Sequence, residues 1–149
     1  MAQANNKKGF YPESPNAHIG YYPIATGQTL TAGDAVILSS GQVAIALANS
    51  ARLLGVVARD CASLAAGTLV PVYDDPDTVF IGCADADSSS STAPSQIDLV
   101  GATGAMLLDV GASSTDVFIL LNALPDDTTS TALARWRFKI YKHEAAAIS

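Results

Sequence analysis

The segment from Thr29 to Tyr73 constrains the fold more than any other part of the chain. Short runs rich in Val, Ile, Leu and Ala alternate there with turns built on Ala32-Gly33-Asp34, Ser40-Gly41 and Ala66-Gly67. Short β-branched runs separated by glycine turns at fairly even spacing are typical of all-β proteins. We therefore predict an all-β fold, a small β-barrel or sandwich of short strands.

Nine strands are predicted in this segment and in the chain that follows it, because each run is short and rich in residues that favour strands. They span Asp34–Leu38, Gln42–Leu47, Leu53–Arg59, Thr68–Tyr73, Val79–Cys83, Ile97–Val100, Ala105–Val110, Val117–Leu124 and Ala132–Lys142. Pro71 falls inside the fourth of these strands. Since proline has no N–H to donate to a neighbouring strand, we expect it at a sheet edge or a bulge.

The N-terminal residues differ in character from the rest. Residues 9–23 contain three prolines, two glycines and four aromatic residues, a composition that excludes a regular helix or a central strand. We predict an extended N-terminal arm over residues 1–25 and a single β domain over residues 26–149. The aromatic side chains of the arm, Phe10, Tyr11, Tyr21 and Tyr22, either dock on another subunit or partner, or fold back onto their own chain.

Composition limits the classes of partner. Charged residues make up 15% of the 149 residues and hydrophobic residues 49%, so we expect part of the surface to be covered in an oligomer or lattice. The net charge of −6 argues against nucleic-acid binding, which depends on Lys and Arg. No apolar run is long enough to predict a membrane span or a secretory signal. Cys61 and Cys83 are expected to be reduced, with a disulfide between them as the alternative.

Few residues are candidates for chemistry. Asp74, Asp75 and Asp77 can bind a hard cation or form an ordinary turn, and the surrounding pattern favours the turn. The two histidines, His18 and His143, have no Cys or His at metal-ligand spacing. Nucleophile-elbow, phosphate-loop and zinc-protease motifs do not occur. We predict no catalytic residue, no metal and no cofactor, and hence a protein that is not an enzyme.

The last predicted strand carries a row of cations. Arg135, Arg137 and Lys139 alternate with apolar residues, and the two-residue period of a strand places all three on one face. Such a face can steer an acidic protein partner or contact single-stranded nucleic acid. The alternative is a solvated outer face with Trp136 in the core.

Several motifs, taken in order, resemble one known family. They are Leu30 to Val36 (LTAGDAV), Gly41 to Ala46 (GQVAIA), Leu53 to Val57 (LLGVV), Ala65 to Val72 (AAGTLVPV) and Leu107 to Val117. Together they are similar to small head decoration proteins, or capsid cement proteins, of tailed bacteriophages, and the resemblance covers residues 28 to 117. Both the N-terminal residues and residues 135–142 lie outside it.

The resemblance implies a structural virion protein. Such a protein is made in the host cytoplasm and binds the outside of the phage head, where it stabilises the lattice of the major capsid protein. It also implies a homo-oligomer, with a trimer favoured over a dimer, and no nucleic-acid or membrane partner. As the partner interface we predict Phe10, Tyr11, Tyr21, Tyr22, Arg135, Arg137 and Lys139.

Two other functions are kept as alternatives. One is a virion module that binds glycans or the host surface. It would use exposed tyrosines and the serine-rich segment Asp85 to Gln96, which is predicted to be a surface loop. The other is a structural subunit of the tail-tube type.

Overall fold

The structure, a computed structural model, describes residues 8–48, 50–91, 94–111, 116–130 and 132–143. In these residues the chain forms eleven β-strands and no helix. The strands are β1 (Tyr11–Pro12), β2 (Ile19–Pro23), β3 (Ala35–Ser39), β4 (Gln42–Ile45), β5 (Gly55–Val57), β6 (Leu69–Tyr73), β7 (Phe80–Cys83), β8 (Ser95–Val100), β9 (Leu107–Asp109), β10 (Phe118–Ala123) and β11 (Arg135–Ile140).

The strands form two antiparallel sheets. The six-stranded sheet has the order β1-β7-β11-β10-β8-β9, and the five-stranded sheet has the order β2-β6-β5-β3-β4. An isolated bridge between Ile24 and Val43 brings the two outer strands of the five-stranded sheet together at one corner, without a continuous ladder. The all-β prediction is confirmed, and the arrangement is sandwich-like and not a closed barrel.

Two hydrophobic cores hold the sheets. The inter-sheet core joins residues of both sheets, including Val56 from one and Phe80, Phe118 and Phe138 from the other. The second core lies on the opposite face of the five-stranded sheet, where its buried residues are Ile24, Leu30, Val36, Val43, Leu54, Val57, Cys61, Val70 and Val72. Because successive residues of a strand point to opposite faces, neighbours such as Val56 and Val57 enter different cores. The five-stranded sheet therefore has a core on each of its faces.

One buried carboxylate joins two turns. Asp34 is fully buried and accepts hydrogen bonds from the main-chain N–H groups of Thr31 and Gly104, each at 2.9 Å, and from the Thr103 hydroxyl. A buried carboxylate requires such donors to offset its lost hydration. Asp34 thereby fixes the turn before β3 against the turn before β9.

All nine predicted strands are present as β3 to β11, with ends that differ by a few residues. The expectation for Pro71 is wrong, because β6 lies between β2 and β5 and is not an edge strand. The Pro71 carbonyl accepts a hydrogen bond from Ala58 at 3.0 Å, one residue beyond the end of β5. In an antiparallel pair the N–H and C=O of one residue point to the same neighbouring strand. An N–H at position 71 would therefore point toward Ala58, where β5 has already ended.

The predicted division at residue 25 is not a structural boundary. The described part of the N-terminal segment is extended, as expected, but it supplies β1 to one sheet and β2 to the other. Phe10 is 2% exposed and packs edge-to-face on Phe118 and Phe138, with ring centroids 5.3 and 5.1 Å apart. Its N–H donates to the Gly33 carbonyl at 2.8 Å. Residues 9–23 are thus part of the β body.

Candidate functional site

The seven predicted interface residues do not form a single site. Phe10 belongs to the inter-sheet core and Tyr22 packs against the second core. Tyr11 shares the outer face of the six-stranded sheet with the β11 cations, because Tyr11 and Arg137 both lie opposite Ile81. Tyr21 lies on the other sheet, in β2. The structure therefore offers two separate surfaces, and each has its own chemistry.

The predicted alternation along β11 is confirmed. Arg135, Arg137 and Lys139 are half-buried on the outer face, whereas the intervening residues are buried. Among these, Trp136 is 4% exposed, and its indole N–H donates to the Ser88 hydroxyl at 3.0 Å. The core interpretation of Trp136 is correct.

The first cation of this row has a buried partner. Asp127, whose side chain is 2% exposed, accepts hydrogen bonds from Nε and Nη2 of Arg135 at 3.0 and 2.9 Å, and from its main-chain N–H at 2.8 Å. This bidentate pairing with Asp127 is the main cause that raises the pKa of Arg135, and Tyr11 contributes in the same direction. The guanidinium is therefore held rigidly in one orientation.

The other two cations are paired as well. Arg137 donates from Nε to Glu13, and Lys139 Nζ lies 3.7 Å from Asp77. Each cation of β11 therefore contacts a carboxylate from a different connecting segment, and the pair of Arg135 with the buried Asp127 fixes one of these segments to the sheet. The face therefore carries paired charges of both signs, and the hypothesis that this row steers an acidic partner stays a prediction.

A second surface carries exposed apolar side chains. We define the β2 strip as Ile19, Tyr21 and Leu69, which are 38%, 65% and 56% exposed. Leu69 of β6 lies opposite Pro23 of β2, and Tyr21 lies opposite Pro71, so the three side chains share one face of the sheet. Closer to the centre of the molecule, Tyr73 on the same face packs against the inter-sheet core. The β2 strip is the part of this face that the other sheet does not cover.

A polar cluster lies on the opposite face of β2. Asp74 accepts a hydrogen bond from the Tyr22 hydroxyl at 2.5 Å, and its other carboxylate oxygen lies 2.6 Å from Nδ1 of His18. Burial, and then the hydrogen bond and the charge of Asp74, raise the pKa of Tyr22 to about 12. A Cβ on Gly20 would collide with the same carboxylate, so glycine leaves room for the cluster.

The aspartate-rich segment after β6 is a turn, as the pattern favoured. Asp75 accepts a hydrogen bond from the Asp77 N–H at 2.8 Å, an arrangement that aspartate commonly makes in turns. Within the described residues, no three His, Cys, Asp or Glu side chains are grouped so that they could hold a metal ion.

Cys61 is buried in the second core, whereas Cys83 is buried in β7 opposite Arg135. They do not form a disulfide, so the alternative pairing is wrong. Burial is the main cause that raises the pKa of Cys83 to about 11, and Asp127 adds to it. Burial also raises the pKa of Cys61. Both thiols are consequently protonated at neutral pH and poor nucleophiles.

The serine-rich segment is only partly a surface loop. Ser88 is 1% exposed, and its N–H donates to the Thr129 carbonyl at 2.7 Å. Together with the bond from Trp136, this contact fixes the first part of the segment to the core. Thr92 and Ala93 lie outside the described residues.

Sequence reasoning missed several residues of both surfaces. The carboxylates of Glu13, Asp77 and Asp127 had no visible link to β11, because their partners are distant in sequence. Ile19 carried a usable signal, since Ile19 and Tyr21 stand two residues apart around Gly20 and share one face of a strand. That strand was not predicted because the prolines nearby argued against a strand.

No protein-family model matches the chain, and no curated protein is significantly similar to it. No helix in the described residues is long and apolar enough to cross a membrane.

Proposed function

We propose that this chain is a capsid decoration protein, a structural component that binds the outside of a phage head. Its partners are the major capsid protein and further copies of itself, and the resemblance favours a trimer over a dimer. The proposal includes no catalytic step and no cofactor.

The positions of the resembling motifs support this proposal. Four of them overlap β3, β4, β5 and β6, and the motif from Leu107 to Val117 overlaps β9. The first four therefore coincide with consecutive strands of one sheet. Motifs that mark the strands and turns of one unit are the expected result if the resemblance reflects a shared fold.

The observation that carries the proposal is the distribution of exposed apolar side chains over separate surfaces. Tyr11 lies on the outer face of the six-stranded sheet, and Ile19, Tyr21 and Leu69 form the β2 strip. Tyr141, 49% exposed, lines an open depression of about 550 Å³ together with Arg52 and Lys142. A cement protein has to contact several neighbours at once, and weak contacts become strong when a lattice presents them together. Separate apolar surfaces on a body with little charge suit that task.

We propose the outer face of the six-stranded sheet as the surface toward the capsid. Tyr11, Arg135, Arg137 and Lys139 remain together on that face, although the cations are paired within the chain. A rigid surface of alternating charges favours one docking register through complementarity more than through strong attraction.

Binding to expanded capsid shells that lack the protein tests the proposal. We expect saturable binding at a fixed ratio to the capsid subunit, and shells that withstand heating better after binding. Shells whose decoration sites are already occupied are the control, and they should bind none. If the purified protein does not bind empty shells, the proposal is wrong. Hits on a glycan array would then favour the glycan-binding alternative, and rings or tubes under the electron microscope would favour a tail-tube subunit.

A further inference from the structure

Strand β2 is an open edge of the five-stranded sheet. In the described parts of the chain it pairs only with β6, and contact with β4 begins after its end. There, Ile24 donates to Thr68 on the β6 side, and the next residue, Ala25, donates to Val43 on the other side. Since alternate residues of a strand direct their main-chain groups to opposite sides, the N–H and C=O groups of Ile19 and Tyr21 point away from β6.

The side chains at this edge do not protect it. Natural edge strands avoid pairing with other chains by carrying Lys, proline, bulges or short lengths. In β2 the protective residue is Pro23, at the C-terminal end of the strand. Ile19 and Tyr21 are uncharged and exposed, so they would support pairing.

We propose that two copies of the chain pair their β2 edges antiparallel about a two-fold axis, with Ile19 of each copy opposite Tyr21 of the other. The N–H and C=O groups of both residues then bond across the axis, and the two five-stranded sheets become one continuous sheet. A register centred on Tyr21 would instead place Ile19 opposite Pro23, which has no N–H. The proposed register is the one that uses the outward donors of both copies.

Complementarity favours a second copy as the occupant of this edge. Each β-branched Ile19 meets an aromatic Tyr21, a cross-strand pair that stabilises sheets. Each copy has a net charge of −6, and on the face of the β2 strip the contact joins only uncharged side chains.

On the opposite face, Asp74 of each copy lies over Gly20 near the axis, where Tyr22 and His18 of the same copy already bond to its carboxylate. In the same register His18 lies opposite Tyr22 of the other copy, whose hydroxyl binds Asp74. His18, which bonds to Asp74 of its own copy, therefore lies beside the Tyr22–Asp74 pair of the other copy at both ends of the interface.

This inference specifies the self-association that the proposed function includes, but it predicts a two-fold contact where the resemblance favours a trimer. Its test uses the purified protein without capsids. A failure to bind shells and a failure to pair through β2 are therefore observed separately.

Sedimentation equilibrium over a range of concentrations tests the inference. We expect a reversible monomer–dimer equilibrium for the wild-type chain. Tyr21→Lys should weaken it about a hundredfold, because the change affects both halves of the interface. Leu47→Lys is the matched control: Leu47 is 59% exposed and lies outside the β2 strip, so this variant should associate like the wild type. Circular dichroism should show that all the chains are folded.

Ile19→Lys provides a second variant in case Tyr21→Lys does not fold, and it should weaken association to a similar extent. The inference is overturned if the wild-type chain stays monomeric at every concentration. It is also overturned if the folded lysine variants associate as strongly as the wild type, or if the wild-type chain forms a trimer that they leave intact.

Discussion

The outer face of the six-stranded sheet and the β2 strip differ in whether their surface groups have partners within the same chain. On the first surface Arg135, Arg137 and Lys139 each hold a carboxylate of the same chain. On the second, Ile19 and Tyr21 are exposed, and their main-chain groups lie along an open sheet edge. The comparison teaches that the charged residues act mainly within the fold, whereas the uncharged edge has unused capacity for binding.

A row of cations is commonly expected to be the docking surface of a protein, but the pairing of these cations argues against that expectation here. A cation that already holds a carboxylate gains little from a further acidic partner, and exposed ion pairs contribute at most about 1 kcal/mol each. Apolar area removed from water contributes roughly 25 cal/mol per Å². A partner therefore gains more by covering the β2 strip than by displacing the carboxylates that pair with β11.

The largest expected effect lies in the N-terminal segment, which contributes a strand to each of the two surfaces. Phe10→Ala should lower the free energy of unfolding by about 3–5 kcal/mol, because it leaves a cavity between Phe118 and Phe138. Tyr11→Ala, at the neighbouring exposed position, should cost far less. Guanidinium unfolding measures both variants. If Phe10→Ala unfolds like the wild type, the segment is an arm after all.

The next largest effect is expected at the buried carboxylate that pairs with β11, and it is compared with the effect at an exposed carboxylate. Asp127→Asn should destabilise the chain by about 2 kcal/mol, because it weakens charge-assisted hydrogen bonds at a carboxylate that is almost fully buried. Asp126→Asn alters an exposed neighbour and serves as the control. Unfolding by urea measures the difference, and equal midpoints for the two variants would contradict a structural role for Asp127.

A smaller effect, dependent on pH, tests the cluster on the polar face of β2. The pKa of Tyr22 is raised from 10.0 to about 12 in the folded chain, so the folded state retains a proton that the unfolded state releases. This stabilisation is complete below pH 10 and is lost as the pH rises towards 12. Tyr22→Phe should remove that part of the alkaline decline and cost about 1 kcal/mol near neutral pH.

Thermal unfolding of Tyr22→Phe between pH 8 and pH 12 would measure this difference. Tyr21→Phe, at an exposed position, is its control and should keep the wild-type decline. Cys83, with its pKa raised to about 11, contributes a decline of the same sign to every variant. An unchanged decline in Tyr22→Phe would exclude the cluster as its source.

The smallest effect is expected at the most exposed ion pair. The Asp77 side chain is 88% exposed and lies 3.7 Å from Lys139, so Asp77→Asn should change the free energy of unfolding by less than about 0.5 kcal/mol. Comparison with Asp127→Asn in the same unfolding series shows how the contribution of an ion pair of β11 to the free energy of unfolding depends on the burial of its carboxylate. A large loss at Asp77 would mean that exposed pairs also hold this face together.

Local pattern was sufficient to predict most of the fold. Strands β3 to β11 follow from short apolar runs between glycine turns, and the period of two along β11 predicts which side chains face outward. Strands β1 and β2 were missed because prolines within residues 9–23 argued against strands. Pro12 and Pro23 in fact end these strands, where a missing donor costs little.

The candidate sites were harder to predict, because they depend on contacts between distant residues. Glu13 and Arg137 are 124 positions apart, and no local pattern indicates that they meet. Phe10 and Tyr22 were predicted as interface residues on composition alone. Composition cannot distinguish an aromatic residue that packs in the core from an exposed one that contacts a partner. Only the sheet order reveals that β2 has an open edge.

Amide hydrogen exchange along β2 of the wild-type chain, at low and at high protein concentration, tests most directly whether this edge is the assembly surface. Gly20 and Tyr22 direct their N–H groups toward β6, so their exchange should be slow at both concentrations. Ile19 and Tyr21 should exchange rapidly in the dilute monomer and slowly once copies associate. Rapid exchange of Ile19 and Tyr21 in the associated protein would contradict the account, and so would slow exchange of both amides in the monomer.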